Sequence, residues 1–275
     1  MTTPGPATVE VVIVAHDAGD LLADAMVSAA EQAGAEAVWL VDAASTDGSV
    51  AAAARRVPGC HVISAPNEGF SAGNNRGIAQ TRSEFVLLLN PDATLLPRAL
   101  DVLVATARAQ PRAGIVGPLV LDSDGHVQAG SFGRFPTLGS AVELRAWRAV
   151  QRLRGNSGLS PRGLARAASV EWVTGAAMLV RRAAMDEVGP LDEGYFLYYE
   201  DLDWCHRMRD CGWDVILEPQ AEVVHARGVA TGKSALAQQA YRDSFRRYCD
   251  VYGLWALRGV SEVILAARRL VGGRR

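Results

Sequence analysis

Four short runs rich in apolar and β-branched residues punctuate the first ninety positions: VEVVIVA (9–15), AVWLVD (37–42), HVISA (61–65) and FVLLL (85–89). Stretches with helical spacing fill the gaps: Asp20 to Gln32, Ser49 to Arg56, and a third beginning at Gly73. Pro97 stands where the first turn of a fourth helix is expected. Strands without polar alternation are buried on both faces, so this rhythm predicts a parallel sheet covered by helices on both sides. Ligands bind such sheets at the carboxyl ends of the strands. Here those ends carry Asp17, Asp42, Pro66-Asn67 and Asn90-Pro91-Asp92. A carboxylate stands at three of the four.

Beyond residue 125 the pattern loosens, and RLRGNSGLSPRG (152–163) reads as an exposed loop. Regularity returns with VTGAAMLV (173–180), a helix from Glu200, and strand-like runs DVILE (214–218) and AEVVH (221–225). Near the end, Leu254, Leu257, Val260, Ile264 and Leu270 recur at helical spacing beside Arg258, Arg268 and Arg269. Two readings fit that pattern: a helix lying on a membrane surface, or one packed on the domain with a solvated basic face.

Composition narrows the partners. The 275 residues carry a net charge of −2, which gives no reason to expect nucleic acid. Charge is nevertheless uneven, since residues 241–275 hold eight arginines against three acidic side chains. Four cysteines without a CxxC pair read as reduced thiols of a cytosolic protein. Cys205, His206 and Cys211 lack a fourth zinc ligand. The start, MTTPGPATVE, has no signal-peptide character, and no stretch is long and apolar enough to span a bilayer. After the first strand comes AHDAGD, without the GxGxxG cradle of dinucleotide enzymes, and RGVATGKS departs from the phosphate-loop spacing.

Four segments carry candidate chemistry. In NEGFSAGNNRG, Gly69, Gly73 and Gly77 recur every four residues. They mark either a helix face pressed on the sheet or a loop where backbone approaches a ligand, with Asn67, Asn74 and Asn75 offering amides. In LLLNPDATL a rigid strand end delivers Asn90 and Asp92, as suits either a divalent cation or an Asx-type turn. In YFLYYEDLDW an aromatic patch runs into three carboxylates. Rotating about 100° per residue from Glu200 separates them. Asp203 then faces Arg207 as a surface ion pair, Glu200 supports the helix start, and Asp201 alone turns toward the apolar side. Asp201 is thus the candidate acid or base. His225, ending AEVVH, reads as a structural histidine or a ligand.

Taken in order, VDAASTDGS, NEGFSAGNNRGIA, LLLNPDATL, WVTGAAMLVRR, VGPLDEGYFLYYEDLDWCHRMRDCGW and AEVVHARG resemble the family 2 glycosyltransferases, and within them bacterial rhamnosyltransferases of cell-wall and polysaccharide assembly. The resemblance implies an α/β GT-A fold over residues 8–228. A Rossmann-like nucleotide-sugar half (8–125), with a mostly parallel sheet, would join a smaller acceptor half (126–228) and a basic helical segment (229–275). It implies that Asp42 contacts the nucleotide base and that Asn90 and Asp92 stand at the family's DxD position. Asp92 would hold Mg2+ or Mn2+ with His225, and Asp201 would serve as the base. Asp17, Asn67, Gly69, Asn74 and Arg76 complete the expected nucleotide-sugar site, and Trp172, Gly175, Tyr198 and Glu200 the acceptor side. The partners implied are a nucleotide-diphosphate sugar and a lipid-linked or glycan acceptor, met in the cytoplasm at the inner face of the membrane. Two departures stand out. DAAS replaces DNAS, so Ala43 removes an amide near the nucleotide, and Asn90 replaces a carboxylate, leaving less charge for the metal.

Overall fold

A computed structural model describes residues 8–137, 166–226 and 235–272, with side chains through residue 263. RLRGNSGLSPRG, Lys233 and the side chains of Ile264, Arg268, Arg269 and Leu270 lie outside the described residues.

The expected alternation is present. Strand β1 (Val9–Ala15) leads to α1 (Leu21–Ala33), β2 (Val38–Ala43) to α2 (Ser49–Arg56), and β3 (His61–Ala65) to α3 (Phe70–Ile78). Strand β4 (Phe85–Leu89), buried along its whole length, then reaches β5 (Ala93–Leu95), α4 (Ala99–Ala109) and β6 (Ala113–Leu121). The second half contributes β7 (Phe132–Gly133), β8 (Ala168–Val170), β9 (Trp172–Val173), β10 (Ala177–Arg181), α5 (Arg182–Val188) and α6 (Glu200–Asp210). Strand β11 (Asp214–His225) and helices α7 (Ala235–Val251) and α8 (Trp255–Gly272) follow.

Nine strands form one sheet in the order β3-β2-β1-β4-β10-β6-β11-β5, with β8 also paired to β11. Strands β1 to β4, β6 and β11 run parallel, whereas β10, β5 and β8 run against them. One core, built on Val11, Ile13, Leu40, Leu87 and Leu103, lies between the sheet and α1 and α4. A second, built on Val12, Met178, Trp204 and Met208, lies under α6 on the opposite face.

Three local departures from the sequence expectation have clear causes. Helix α3 starts at Phe70, three residues early, because Gly69 at φ 97° turns the chain and the Phe70 N–H donates to Phe196 O. Helix α4 starts at Ala99 rather than Pro97, since Arg98 adopts a left-handed conformation at φ 67°. DVILE and AEVVH form a single strand, broken in register between Glu218 and Glu222 around Pro219, which the bulge excuses from the ladder.

The repeated glycines of α3 press the helix onto the sheet. A Cβ on Gly73 would lie 2.6 Å from Val14 Cγ1, and one on Gly77 2.4 Å from Val12 Cγ1. Both valines sit on β1, so neither can retreat cheaply. Gly77→Ala is therefore expected to cost about 1–3 kcal/mol through overpacking, read as a lower urea midpoint at unchanged m-value.

Candidate active site

The sheet's carboxyl edge gathers residues that lie far apart in the chain. The parallel strands deliver Asp42 on β2, Asp17 after β1, Asn67 after β3, and Asn90 and Asp92 after β4. Because β10 runs antiparallel, its leading loop, Thr174–Ala176, arrives at this same edge, and Asn90 N donates to Ala176 O.

Asp17 and Asp47 tie the first two strand-helix loops together. Asp17 stands at φ 46°, and its Oδ1 accepts from the N–H of Thr46 at 2.6 Å and of Asp47 at 3.1 Å. The Thr46 N–H chiefly holds its carboxyl below the ordinary range. Asp47 accepts from Gly19 N and Ser49 N. Asp42 Oδ1 accepts from Ser45 N at 2.8 Å. Asn67 Oδ1 accepts from Gly69 N at 3.3 Å. Asn74 is buried and donates to Phe70 O. Asn75 instead bridges to Leu191 on the second half of the chain. Arg76 pairs through Nη2 with Glu68, while its Nη1 is buried without a partner among the described residues. Gly69 has a packing role of its own, because a Cβ there would fall 2.3 Å from Phe196 O.

Residues 90–93 close a turn in which Ala93 N donates to Asn90 O across Pro91, placed where turns favour proline. The bulge in β11 then matters. It frees Val223–His225 to pair antiparallel with β5, setting His225 opposite Ala93. His225 Nε2 consequently lies 3.1 Å from Asp92 Oδ1 and 3.3 Å from Asn90 Nδ2. Its Nδ1 sits 2.9 Å from Gln128 Oε1, and Gln128 Nε2 donates to His225 O. Gln128 thereby orients the imidazole and leaves Nε2 facing Asp92. Asn90 Oδ1 is buried with no partner among the described residues. This amide oxygen, a carboxylate and an imidazole form a donor set suited to Mn2+ or Mg2+. A second convergence, Asp122 with Asp124 and His126, is an exposed turn closed by its own hydrogen bonds to Asp122 Oδ1.

Across the edge stands α6. Its entry is strained, since Tyr198 and Tyr199 take φ 71° and 70°. Non-glycine residues in this region cost on the order of 1–3 kcal/mol each. The C-terminal helix holds them there. Tyr199 packs on Phe245 and Tyr248, its hydroxyl meets that of Tyr241 at 3.1 Å, and Ser244 Oγ donates to Leu197 O at 2.9 Å.

The three carboxylates of α6 separate as the helical projection requires, with two corrections. Asp203 does pair with Arg207, at 2.8 Å, but it is 2 % exposed and also accepts from Tyr252 OH at 2.9 Å. The pair is buried because α7 and Tyr252 cover it. Glu200 is likewise not a solvated first-turn residue; it is 5 % exposed, with Oε2 unpartnered among the described residues. Trp204 faces the second core and donates to Gly189 O rather than shielding the site directly.

Asp201 is half-buried. Its Oδ2 accepts from Gly175 N at 2.9 Å, its Oδ1 from Leu202 N at 2.9 Å, and the Thr174 hydroxyl adds a third bond. Burial pushes its carboxyl up, and the backbone N–H groups of Gly175, Leu202 and Asp201 itself, with the Thr174 hydroxyl, pull it partly back. Burial, with the Asp201 charge beside it, drives Glu200 well above the carboxylate range. Among the described residues Glu200 is supported by its own backbone N–H alone, whereas Asp201 also accepts from Gly175, Leu202 and Thr174. The surroundings thus favour the proton on Glu200 over Asp201.

Stability follows with a definite sign. The folded state holds the Glu200 proton more tightly than the unfolded chain, so this contribution is complete below about pH 4.5 and is lost as pH rises toward the raised folded value. Glu200→Gln removes the titration. It should raise the thermal midpoint relative to wild type by about 3 °C more at pH 8 than at pH 5, measured by calorimetry in matched buffers.

Trp172 donates to Arg134 O beside the short β7–β9 pair, and a Cβ on Gly175 would lie 3.4 Å from the Phe70 ring and 3.5 Å from Asp201 Cβ. Gln128, Thr174 and Tyr252 were not marked by any pattern in the sequence.

The arrangement has counterparts. Residues 6–249 match a family model described as glycosyltransferase like family 2. An N-acetylglucosaminyl-diphospho-decaprenol L-rhamnosyltransferase of Mycobacterium tuberculosis is 33% identical over 240 residues, covering 79% of this chain and 76% of the relative. Rhamnosyltransferase WbbL of Escherichia coli K12 is 25% identical over 174 residues, covering 61% and 64%. Among solved structures, GalNAc-T7 with UDP, GalNAc and Mn2+ aligns with a TM-score of 0.63 at 16% identity, covering 90% of this chain and 48% of that one. The mannosyltransferase PcManGT of Pyrobaculum calidifontis, with GDP-Man and Mn2+, aligns at 0.59 and 18% identity, covering 90% and 65%. These structures share the GT-A fold. With its matched span and its rhamnosyltransferase relative, the chain belongs to the family 2 glycosyltransferases.

Proposed function

We propose that this glycosyltransferase moves L-rhamnose from dTDP-rhamnose to a hydroxyl of N-acetylglucosamine carried on a lipid diphosphate, inverting the anomeric centre. The observation carrying the reading is Asp201, a carboxylate fixed by Gly175, Leu202 and Thr174 and raised above its ordinary range by burial, beside the buried Glu200. A base must stand within reach of the hydroxyl it deprotonates and be poised above the ordinary carboxylate range. One base acting opposite the leaving group gives single displacement with inversion.

In this reading residues 8–125 bind the nucleotide sugar and 126–228 the acceptor. Asn90, Asp92 and His225 hold a divalent cation, which would offset charge on the departing diphosphate. Asp42 and Asp17 lie toward the nucleoside, with Asn67, Gly69, Asn74 and Arg76 along the donor. Trp172, Gly175, Tyr198 and Glu200 border the acceptor. The rhamnosyl group and the lipid-linked acceptor are those in the name of the mycobacterial relative. Among the described residues no helix is long and apolar enough to cross a membrane, so the acceptor would be met at its surface.

The test supplies dTDP-rhamnose, UDP-galactofuranose and UDP-hexoses in turn, with manganese and a prenyl-diphosphate N-acetylglucosamine. Product anomeric configuration is read by NMR. Exclusive use of a hexosyl or galactofuranosyl donor overturns the rhamnosyl assignment, and a retained configuration overturns the single displacement.

A further inference from the structure

A cavity of about 460 Å³ opens between α7 and α8 beside Tyr198. That size lies within the range of small-ligand sites. Tyr198, Tyr241 and Phe245 give it an aromatic lining, and Ser261 and Glu262 line it from α8. Two arginines stand in its wall, Arg242 and Arg246. Arg246 is bound to Glu262 at 2.6 Å. Arg242 differs: it donates only to the Gln239 amide oxygen at 2.8 Å and has no carboxylate partner among the described residues. Arg247 and Arg258 are by contrast paired with Asp192 and Asp250. Leu236 and Val263, each adjacent in sequence to a residue of the cavity wall, are 71% and 70% exposed.

We propose that this groove holds the diphosphate and first isoprene units of a prenyl-diphosphate acceptor, with Arg242 on the diphosphate and the chain along Tyr241 and Phe245. The inference rests on the lipid-linked acceptor proposed above and locates it. Two features choose this occupant. A guanidinium without a carboxylate partner among the described residues, beside an aromatic trough, matches an anion joined to a hydrocarbon chain. Tyr198 belongs both to the groove and to the strained entry of α6, three residues before Asp201 in the chain. The exposed Leu236 and Val263 would then continue the apolar path outward.

Farnesyl diphosphate, inorganic diphosphate and phosphatidylglycerol vesicles serve as probes, titrated calorimetrically into the full chain. Wild type is expected to bind farnesyl diphosphate about tenfold or more tighter than inorganic diphosphate, from burial of the chain. Ser261→Trp fills the groove and should abolish that preference, whereas Ser261→Ala should retain it, showing that the fold survives change at the site. Arg242→Gln should weaken both diphosphate probes about tenfold. Equal affinity of wild type for the two diphosphates overturns the proposal. So does wild-type farnesyl diphosphate binding by Ser261→Trp, or vesicle binding without any farnesyl diphosphate binding. Transfer to prenyl-diphosphate N-acetylglucosamine is measured in parallel. Groove-dependent binding without transfer to it overturns the acceptor reading alone, and transfer that Ser261→Trp leaves intact overturns the groove alone.

Discussion

Asp201→Asn should reduce kcat for sugar transfer by about 10²–10⁴-fold, the range supplied by a positioned general base. The amide oxygen of Asn can still accept from Gly175 N, so the loop at Thr174–Ala176 should keep its place. Donor affinity is therefore expected to remain within about twofold of wild type by calorimetry. In wild type, kcat/KM should climb as Asp201 ionises, over a pH range above that of an ordinary carboxylate because burial raises it. The variant should lose that limb along with the rate. Transfer at wild-type rate by Asp201→Asn would remove this residue from the base role.

Asp92→Ala should lower donor affinity in manganese by about 100-fold while leaving the weak affinity measured in chelator unchanged. The substitution deletes the carboxylate 3.1 Å from His225 Nε2 and leaves the buried Asn90 oxygen and one imidazole as donors. Two neutral ligands do not hold a hard dication well against water. Titrating manganese at fixed nucleotide sugar, with wild type alongside, separates this loss from general misfolding. A manganese response equal to that of wild type would exclude Asp92 from the cation site.

The first half of the chain was read closely from its pattern. Strands His61–Ala65 and Phe85–Leu89 and helix Ser49–Arg56 begin and end where the sequence placed them. The apolar run Phe85–Leu89 is buried along its whole length as expected, whereas His61–Ala65, expected to be buried on both faces, stands at the edge of the sheet and is largely exposed. The strand-end rule then gathers Asp17, Asp42, Asn67, Asn90 and Asp92 at one edge without reference to any side-chain contact. The start of α6 at Glu200 is equally legible, and with it the Asp203–Arg207 pair, whereas Asp201, expected alone to face inward, is half-buried while Glu200 and Asp203 are buried.

Burial at α6 was not legible. A helical projection sorts residues by angle but says nothing of what covers each face. Asp203 reads as a surface residue until α7 and Tyr252, some fifty positions later, close over it. Glu200 likewise looks like an ordinary first-turn acid, and only its enclosure makes it hold a proton. The glycines of α3 left two readings open. Gly73 and Gly77 resolve toward close packing because Val14 and Val12 occupy the space a Cβ would need.

By itself, then, the sequence determined the parallel sheet, its ligand-bearing edge and the helix carrying the three carboxylates. These follow from periodicity and strand direction, both local properties of the chain. Tertiary structure alone decided which donors meet. A bulge at Pro219 swings His225 onto Asp92, Gln128 fixes the ring, and the antiparallel β10 brings Gly175 and Thr174 to Asp201. Such meetings depend on strand register and bulges over separations of about a hundred residues in the case of Gln128 and His225, and no local pattern encodes them.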